Sequence, residues 1–284
     1  MEIQKSIILE GGGHRGIYSA GVLDVLYEHN IIADAVFGVS AGAIHGASYA
    51  SGQVGRSIRY TTRFCNDKRY MGFGSLLKTG DFFNVDFCYH QIPEKLDPFD
   101  NDALEKSSVK LYAVVTNIYS GDPLYHHCST LRGNQIKWLQ GSASMPLVSK
   151  PVVVDGYTLL DGGISDSIPL IAAEERGYKK NLVILTQPEG YRKGKNSLLP
   201  LLKITLRKFP NLLKAMENRH IHYNAALDYV EKKAKEGAVV LLRPSKNLEV
   251  SRTEKNPQKI QSLYELGRKD CLENLEKIKN FFSL

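Results

Sequence analysis

The sequence predicts an α/β class: a three-layer α/β/α fold around a central, mostly parallel sheet. Three observations lead there. The first strand-like run, Ser6 to Glu10, is nearly continuous in apolar character, as a strand buried on both faces is. Strand-like and helix-like runs then alternate along the chain. Two junctions between them are marked by glycine, at Gly11-Gly12-Gly13 and at Gly38-Val39-Ser40-Ala41-Gly42.

The elements follow in order. After Ser6 to Glu10 and the glycine run, a helix is expected from about Arg15 to His29. Ile17, Ala20, Leu23 and Tyr27 recur there at helical spacing, and Val22 and Leu26 widen the stripe. Ala35 to Val39 is the second strand and delivers Ser40. The small residues Ala41, Ala43, Ala47 and Ala50 then predict a helix that approaches the sheet closely. Residues 52–105 carry Gly72, Gly74, Gly80 and scattered aromatics, which predicts short helices and loops, a lid or insertion. Lys110 to Asn117 is a strand; Ser120-Gly121-Asp122 turns, and Leu124 to His127 pairs back. A helix from about Asn134 closes at Ala143 to Pro146. Asp155-Gly156 between Pro151–Val154 and Tyr157–Leu160 is a type I′ hairpin signal. That hairpin ends on Asp161-Gly162-Gly163. Ser167 is expected to cap the next helix, with Pro169 in its first turn and Gly177 stopping it. Asn181 to Thr186 is a strand. A helix from about Arg219 to Lys235, a strand from Ala238 to Arg243 and a final helix from about Gln258 to Phe282 complete the chain.

The 284 residues are 43% hydrophobic and 24% charged, ordinary values that suit one large globular domain or two small ones. No apolar run approaches the length of a membrane span. The amino-terminal stretch reads as a first strand rather than a signal peptide. Cys65, Cys88, Cys128 and Cys271 lie far apart with no C-x-x-C pair. That spacing suits free thiols in a reducing compartment and gives no structural metal site. A cytoplasmic location is therefore expected. The net charge of +7 is uneven: Arg192 to Arg219 holds eight Lys and Arg against Glu217 alone. Leucines interleave with that charge. The plainer reading is a helix covering the core with its lysines in water. The sharper one is peripheral contact with the anionic inner face of a membrane through residues 192–219.

Gly38-Val39-Ser40-Ala41-Gly42 has the G-x-S-x-G pattern of a nucleophile elbow. A serine hydroxyl is a poor nucleophile unless a sharp strand-to-helix turn presents it, and the flanking Gly38 and Gly42 leave room for that turn. Gly11-Gly12-Gly13-His14-Arg15-Gly16 also satisfies G-x-G-x-x-G, so dinucleotide binding is a rival. Both readings use unpaired N–H groups at a helix start to hold negative charge, a pyrophosphate or an oxyanion. The rival needs an acidic residue at the end of strand two, where the serine stands instead; Asp34 lies before that strand. The hydrolase reading therefore prevails.

A base must accompany the serine. Eight histidines are available, and His220 or His222 would satisfy the Ser, Asp, His order of an α/β-hydrolase. That fold places several strands before its elbow, whereas one precedes Ser40. His14 and His45 sit too near Ser40 in sequence to be expected as its base, and His126 and His127 fall near a hairpin. The simpler solution is a Ser–Asp dyad, with Asp161 accepting the Ser40 proton and later activating water. A carboxylate is a weaker base than imidazole, so partial burial is expected to raise its pKa.

The three motifs in this order, with Thr116-Asn117 and Ser142-Ala143-Ser144-Met145-Pro146 as secondary matches, resemble the patatin-like phospholipases. The motifs span Gly11 to Gly163. The region after about Tyr191, including Arg219-His220-Ile221-His222-Tyr223-Asn224, resembles the extension of one bacterial group of the family. The resemblance implies a catalytic core at residues 1–190 and a C-terminal α/β extension at 191–284, packed on the same globule. It implies a calcium-independent acyl hydrolase of lipids or phospholipids, with Ser40 as nucleophile, Asp161 as base, and Gly11, Gly12 and Gly13 as oxyanion donors. Arg15 matches the family's basic loop position, where it would hold the loop or a lipid phosphate. No cofactor, metal or nucleic-acid partner is expected. The alternative is a non-catalytic lipid or acyl-chain binding protein on the same scaffold.

Overall fold

The computed structural model describes residues 4–283. Its amino-terminal half carries β1 (Lys5–Leu9), α1 (Ile17–Glu28), β2 (Ala35–Val39), α2 (Ala41–Ala50), α3 (Arg56–Phe64), α4 (Phe73–Thr79), a π-helical stretch at Phe87–Leu96 and α5 (Asn101–Lys106). The middle carries β3 (Lys110–Asn117), β4 (Pro123–His127), α6 (Ile136–Ser142), β5 (Val152–Val154), β6 (Tyr157–Asp161), α7 (Leu170–Glu175) and β7 (Lys180–Ile184). The remainder is α8 (Leu199–Thr205), α9 (Pro210–Lys235), β8 (Val239–Leu242), α10 (Pro257–Glu273) and α11 (Leu275–Ser283).

One sheet runs in the order β5-β6-β3-β2-β1-β7-β8, with β4 also on β3. The pairs from β3 through β2, β1 and β7 to β8 are parallel, and β4, β5 and β6 join antiparallel. Alternation along β1 divides the core. Ile7 and Leu9 pack into a cluster with α1, α2 and α10, while Ile8 packs with Leu170 of α7 and Tyr223, Leu227 and Val230 of α9. Helices thus cover both faces of a largely parallel sheet, as predicted. The last third of the chain is fastened to this core. Tyr18 donates to Asp270 (3.0 Å), Tyr264 to Asp24 (2.7 Å), and Arg268 pairs with Glu28.

Asp155 and Gly156 have φ of 48° and 81°, the two positive values a type I′ turn requires. Elsewhere the structure corrects the sequence reading. Ser167 does not cap α7; its Oγ donates to the Gly163 carbonyl (2.8 Å), and Pro169 occupies the cap position. α9 starts at Pro210, not near Arg219, because proline suits a first helical turn whose N–H would be unpaired anyway. The last helix is two. Asn274 interrupts it, its side chain donating to the Asp270 carbonyl (2.9 Å) in competition with the helix ladder. The basic segment is a loop, then α8, then the start of α9, rather than one covering helix.

Candidate active site

The register of β3 brings the two candidate catalytic residues together. Thr116 faces Pro123 of β4 and Leu160 of β6, so β4 and β6 occupy opposite edges of β3. Tyr112 faces His127 of β4 and Phe37 of β2, so β2 also lies opposite β4. β2 and β6 therefore share one edge of β3, end to end. β2 is parallel to β3 and β6 antiparallel, so their carboxyl ends meet: Val39 faces Val114 and Asp161 faces Val115. Ser40 follows the one strand and Asp161 closes the other.

Ser40 has φ 55° and ψ −124°, a strained conformation for a residue with a side chain, and α2 starts at the next residue. A Cβ on Gly38 would come within 2.4 Å of the Ala43 Cα, and one on Gly42 within 2.7 Å of the Leu9 carbonyl oxygen. Only glycine leaves space for this turn, which is the reason the pattern carries it at both places. The Ser40 N–H donates to Ser142 Oγ (2.8 Å), and that hydroxyl donates to the Val114 carbonyl (2.7 Å). Ser142, at the end of α6, thereby ties the elbow to β3.

Asp161 is buried, and burial pushes its carboxyl pKa up. The Arg219 guanidinium, the Ser40 hydroxyl, the Gly163 N–H and Arg252 act in the opposite direction. Gly163 N donates to Asp161 Oδ1 at 2.8 Å. The Asp161 backbone is held at both ends, its N–H by the Ser144 carbonyl (2.8 Å) and its carbonyl by Thr116 Oγ1 (2.8 Å). Gly162 passes so near β3 that a Cβ there would lie 2.1 Å from the Val114 carbonyl oxygen. No hydrogen bond of standard geometry joins Ser40 to Asp161 among the described residues, and hydrogen bonds between catalytic groups are often long before substrate binds.

The glycine loop adjoins the elbow: a Cβ on Gly11 would sit 2.8 Å from the Ser40 Cβ. On either side of the loop, the N–H groups of Glu10, His14 and Arg15 donate to backbone carbonyls. Those of Gly11, Gly12 and Gly13 find no backbone acceptor among the described residues and remain available to a ligand. Gly13 has φ 57°, and the Arg252 carbonyl, which accepts from His14 N (3.0 Å), occupies the space a side chain would need. The Arg15 guanidinium reaches Gln187, whose side-chain oxygen, with the amide turned to face it, accepts at 2.7 Å.

Ser40 stands between two hollows of opposite character. One is a cavity of about 860 Å³, lined among others by Ile17, Ile44, Tyr60, Phe83, Leu139 and Leu147. Residues 52–105, read as an insertion, supply many of its aromatics. The other is a polar pocket of about 60 Å³ lined by the glycine loop, Asp161 and four cations, Arg15, Lys193, Arg219 and Arg252.

The histidines are engaged elsewhere. His14 Nδ1 contacts the Glu254 carbonyl (2.7 Å) and His45 Nδ1 the Ser57 hydroxyl (3.0 Å). His126 stacks on Trp138. His220 and His222 lie on α9, with no hydrogen bond to Ser40 or Asp161 among the described residues. Sequence reasoning missed the supporting roles of Ser142 and Ser144, although both stand in a quoted motif. It also missed the place in the pocket of Arg219, although that residue heads a quoted run, and of Lys193 and Arg252, which no spacing links to the motifs. Glu10 escaped notice as the end of a strand. It is buried, and its carboxylate accepts from Thr186 N (2.7 Å), Thr186 Oγ1 (3.0 Å) and Tyr223 OH (2.8 Å).

An α/β core whose serine turns out of the second strand, one strand after a glycine loop, is a narrow class of protein. Residues 7–174 match the family model described as Patatin-like phospholipase, and residues 209–283 match a domain of unknown function, DUF6363. The first match covers more than half of the chain, which therefore belongs to the patatin-like phospholipase family. The uncharacterized protein YjjU of Escherichia coli (strain K12) is 30% identical over 191 residues, covering 64% of this chain and 52% of YjjU. Lysophospholipase nte1 of Aspergillus terreus is 24% identical over 299 residues, covering 96% of this chain but 18% of that protein. The chain thus spans about half of one relative and under a fifth of the other. Among solved structures, VipD from Legionella pneumophila aligns at TM-score 0.49 and 14% identity over 98% of this chain and 67% of its own.

Proposed function

We propose that the chain is a serine acyl hydrolase that cleaves carboxylic esters of lipids through a Ser40–Asp161 dyad. The observation that carries this reading is the end-to-end meeting of β2 and β6 over an apolar cavity of about 860 Å³. Ser40 Oγ attacks the ester carbonyl carbon while Asp161 takes its proton. The carbonyl oxygen gains negative charge and is held by the free N–H groups of Gly11, Gly12 and Gly13, each donor worth about 3–4 kcal/mol of barrier. The tetrahedral intermediate collapses, the C–O bond to the alcohol breaks, and Asp161 returns the proton to the leaving oxygen. Water then attacks the acyl-enzyme with Asp161 again as base, releasing the fatty acid and restoring Ser40. The raised pKa of the buried Asp161 suits it to this exchange. Lysophospholipase activity, named for the nte1 relative, is consistent with this chemistry. Acyl release from p-nitrophenyl esters and phospholipid vesicles, by the parent, Ser40→Ala and Asp161→Asn, tests the reading; equal activity in all three overturns it.

The unit is read as a catalytic core at residues 1–190 with a C-terminal extension at 191–284, at work in the cytoplasm. Peripheral membrane contact is part of the same reading. Phe73 (76% exposed) and Leu198 (54%) line the large cavity and yet face solvent, and Leu77 on α4 and Leu201 and Ile204 on α8 are exposed as well. Leu198 belongs to the basic segment 192–219. Among the described residues no helix is long and apolar enough to cross a membrane. Association with anionic liposomes is expected to weaken as salt rises; absence of binding at any salt removes this contact.

A further inference from the structure

The polar pocket holds more positive charge than the dyad requires. Its four cations, Arg15, Lys193, Arg219 and Arg252, face two carboxylates, Glu10 and Asp161. Glu10 is already occupied by Thr186 and Tyr223. None of the four cations forms a salt bridge among the described residues. Arg219 Nε donates to the neutral Gly163 carbonyl. The Lys193 ammonium lies 4.1 Å from the centre of the Tyr223 ring. Arg15 Nε is buried with no partner. Arg15, Lys193 and Arg219 are partly buried and Arg252 is exposed; partly buried cations crowded together without counter-ions are costly. Burial and the neighbouring Arg219, Arg252 and Arg15 push the Lys193 ammonium down to about 7.

Their neighbours need little of this charge. Arg219 is the foremost charged group acting on Asp161, and the oxyanion has three backbone donors. Arg15 and Lys193 are left over, and Arg252 acts on Asp161 less than Arg219 does. A volume of about 60 Å³ holds several water molecules, the scale of one phosphate group. Ser40 lines both this pocket and the apolar cavity, so an ester lying across it would extend its acyl chain one way and its alcohol the other.

We propose that the pocket binds a phosphate monoester on the alcohol side of the substrate, so that the preferred esters are acyl glycerol phosphates. This rests on the hydrolase reading above and deepens it. The crowded cations favour a dianionic phosphate and repel a head group that carries its own ammonium. Lys193, Arg219 and Arg252 lie beyond the patatin-like segment 7–174, and the last two fall in the domain of unknown function. The extension thereby completes a subsite of the core.

The test compares kcat/KM of the full chain on monolauroyl glycerol phosphate, monolauroyl glycerol and monolauroyl glycerophosphocholine, each below its critical micelle concentration. The phosphate monoester is expected to exceed the other two at least tenfold. That preference is expected to fall at least tenfold in Lys193→Gln and in Arg252→Gln, whose side chain is exposed, so that the fold survives its loss. No preference in the parent, or a preference unchanged in both variants, overturns the subsite while leaving the hydrolase intact. Inorganic phosphate is added to the neutral-ester assay to separate the sources. Inhibition by it without any gain for the phosphorylated ester marks a free-phosphate site and overturns the head-group assignment. If the parent cleaves no ester, the hydrolase reading fails and binding decides the subsite. Calorimetric titration of Ser40→Ala is then expected to give at least tenfold tighter binding of the phosphorylated lipid than of the glyceride, lost when Arg252→Gln is added. Equal affinities overturn it.

Discussion

Replacing Arg219 by glutamine removes the foremost charge acting on Asp161 and, on the proposed mechanism, is expected to shift the pH dependence of ester hydrolysis. Asp161 Oδ1 lies 3.0 Å, and Arg219 Nη2 3.2 Å, from the point a Cβ on Gly163 would occupy. The two charges are therefore no more than about 6 Å apart, where unit charges at an effective dielectric of 20–40 interact by about 1.4–2.8 kcal/mol. That corresponds to about 1–2 pH units. The sign follows from the charge state: the guanidinium favours the ionised carboxylate, so its loss raises the Asp161 pKa further. The base must be ionised to accept the Ser40 proton, so activity is lost at a higher pH. The assay is kcat/KM against pH on a short p-nitrophenyl ester, which carries no phosphate and reports the free enzyme. The acid limb is expected to move up by about 1–2 units in Arg219→Gln and to return most of the way in Arg219→Lys. A limb that stays within about 0.3 units, or moves down, refutes the assignment of Asp161 as the titrating base.

Two further changes probe the supports of the site. Ser142→Ala strands the Ser40 N–H and leaves the Val114 carbonyl without its side-chain donor; a loss of about 1–3 kcal/mol in denaturant unfolding is expected, with a reduced kcat, and an unchanged midpoint and rate would deny Ser142 its role. His45 is buried and its pKa is pushed down to about 3, chiefly by burial. Between about pH 6.5 and 3 the unfolded chain binds a proton that the folded chain does not, so stability falls as the pH falls, by about 1.4 kcal/mol per unit. Unfolding free energy against pH in the parent and His45→Gln checks this: the variant is expected to have the shallower slope, and equal slopes contradict it.

Much of the site was legible because its geometry is local. A glycine on each side of Ser40 announces a turn with no room for side chains, and the turn is there. Asp155-Gly156 announces positive φ at two consecutive residues and carries it. The meeting of Ser40 and Asp161 was legible as motif order but not as mechanics, since it depends on β2 and β6 sharing an edge of β3, and register between distant strands leaves no mark in spacing. The cations of the polar pocket were hidden for a similar reason. Lys193 stands in a loop, Arg219 on a helix and Arg252 in the stretch before α10, and only the fold gathers them. Ser167 misled because a serine before a proline looks like a helix cap, whereas its hydroxyl is held by the turn after Asp161.

The central claim is that Ser40 and Asp161 act as one catalytic pair, and kcat/KM on p-nitrophenyl butyrate tests it most directly when measured beside the thermal midpoint of each protein. Removing a nucleophile or its base from such a pair typically costs about a thousandfold or more. Ser40→Ala and Asp161→Asn are each expected to lose that much while melting as folded proteins, and their combination is expected to lose little more than either alone. A folded Asp161→Asn protein that keeps activity within about tenfold of the parent would contradict the pair and send the search for the base elsewhere in the cavity.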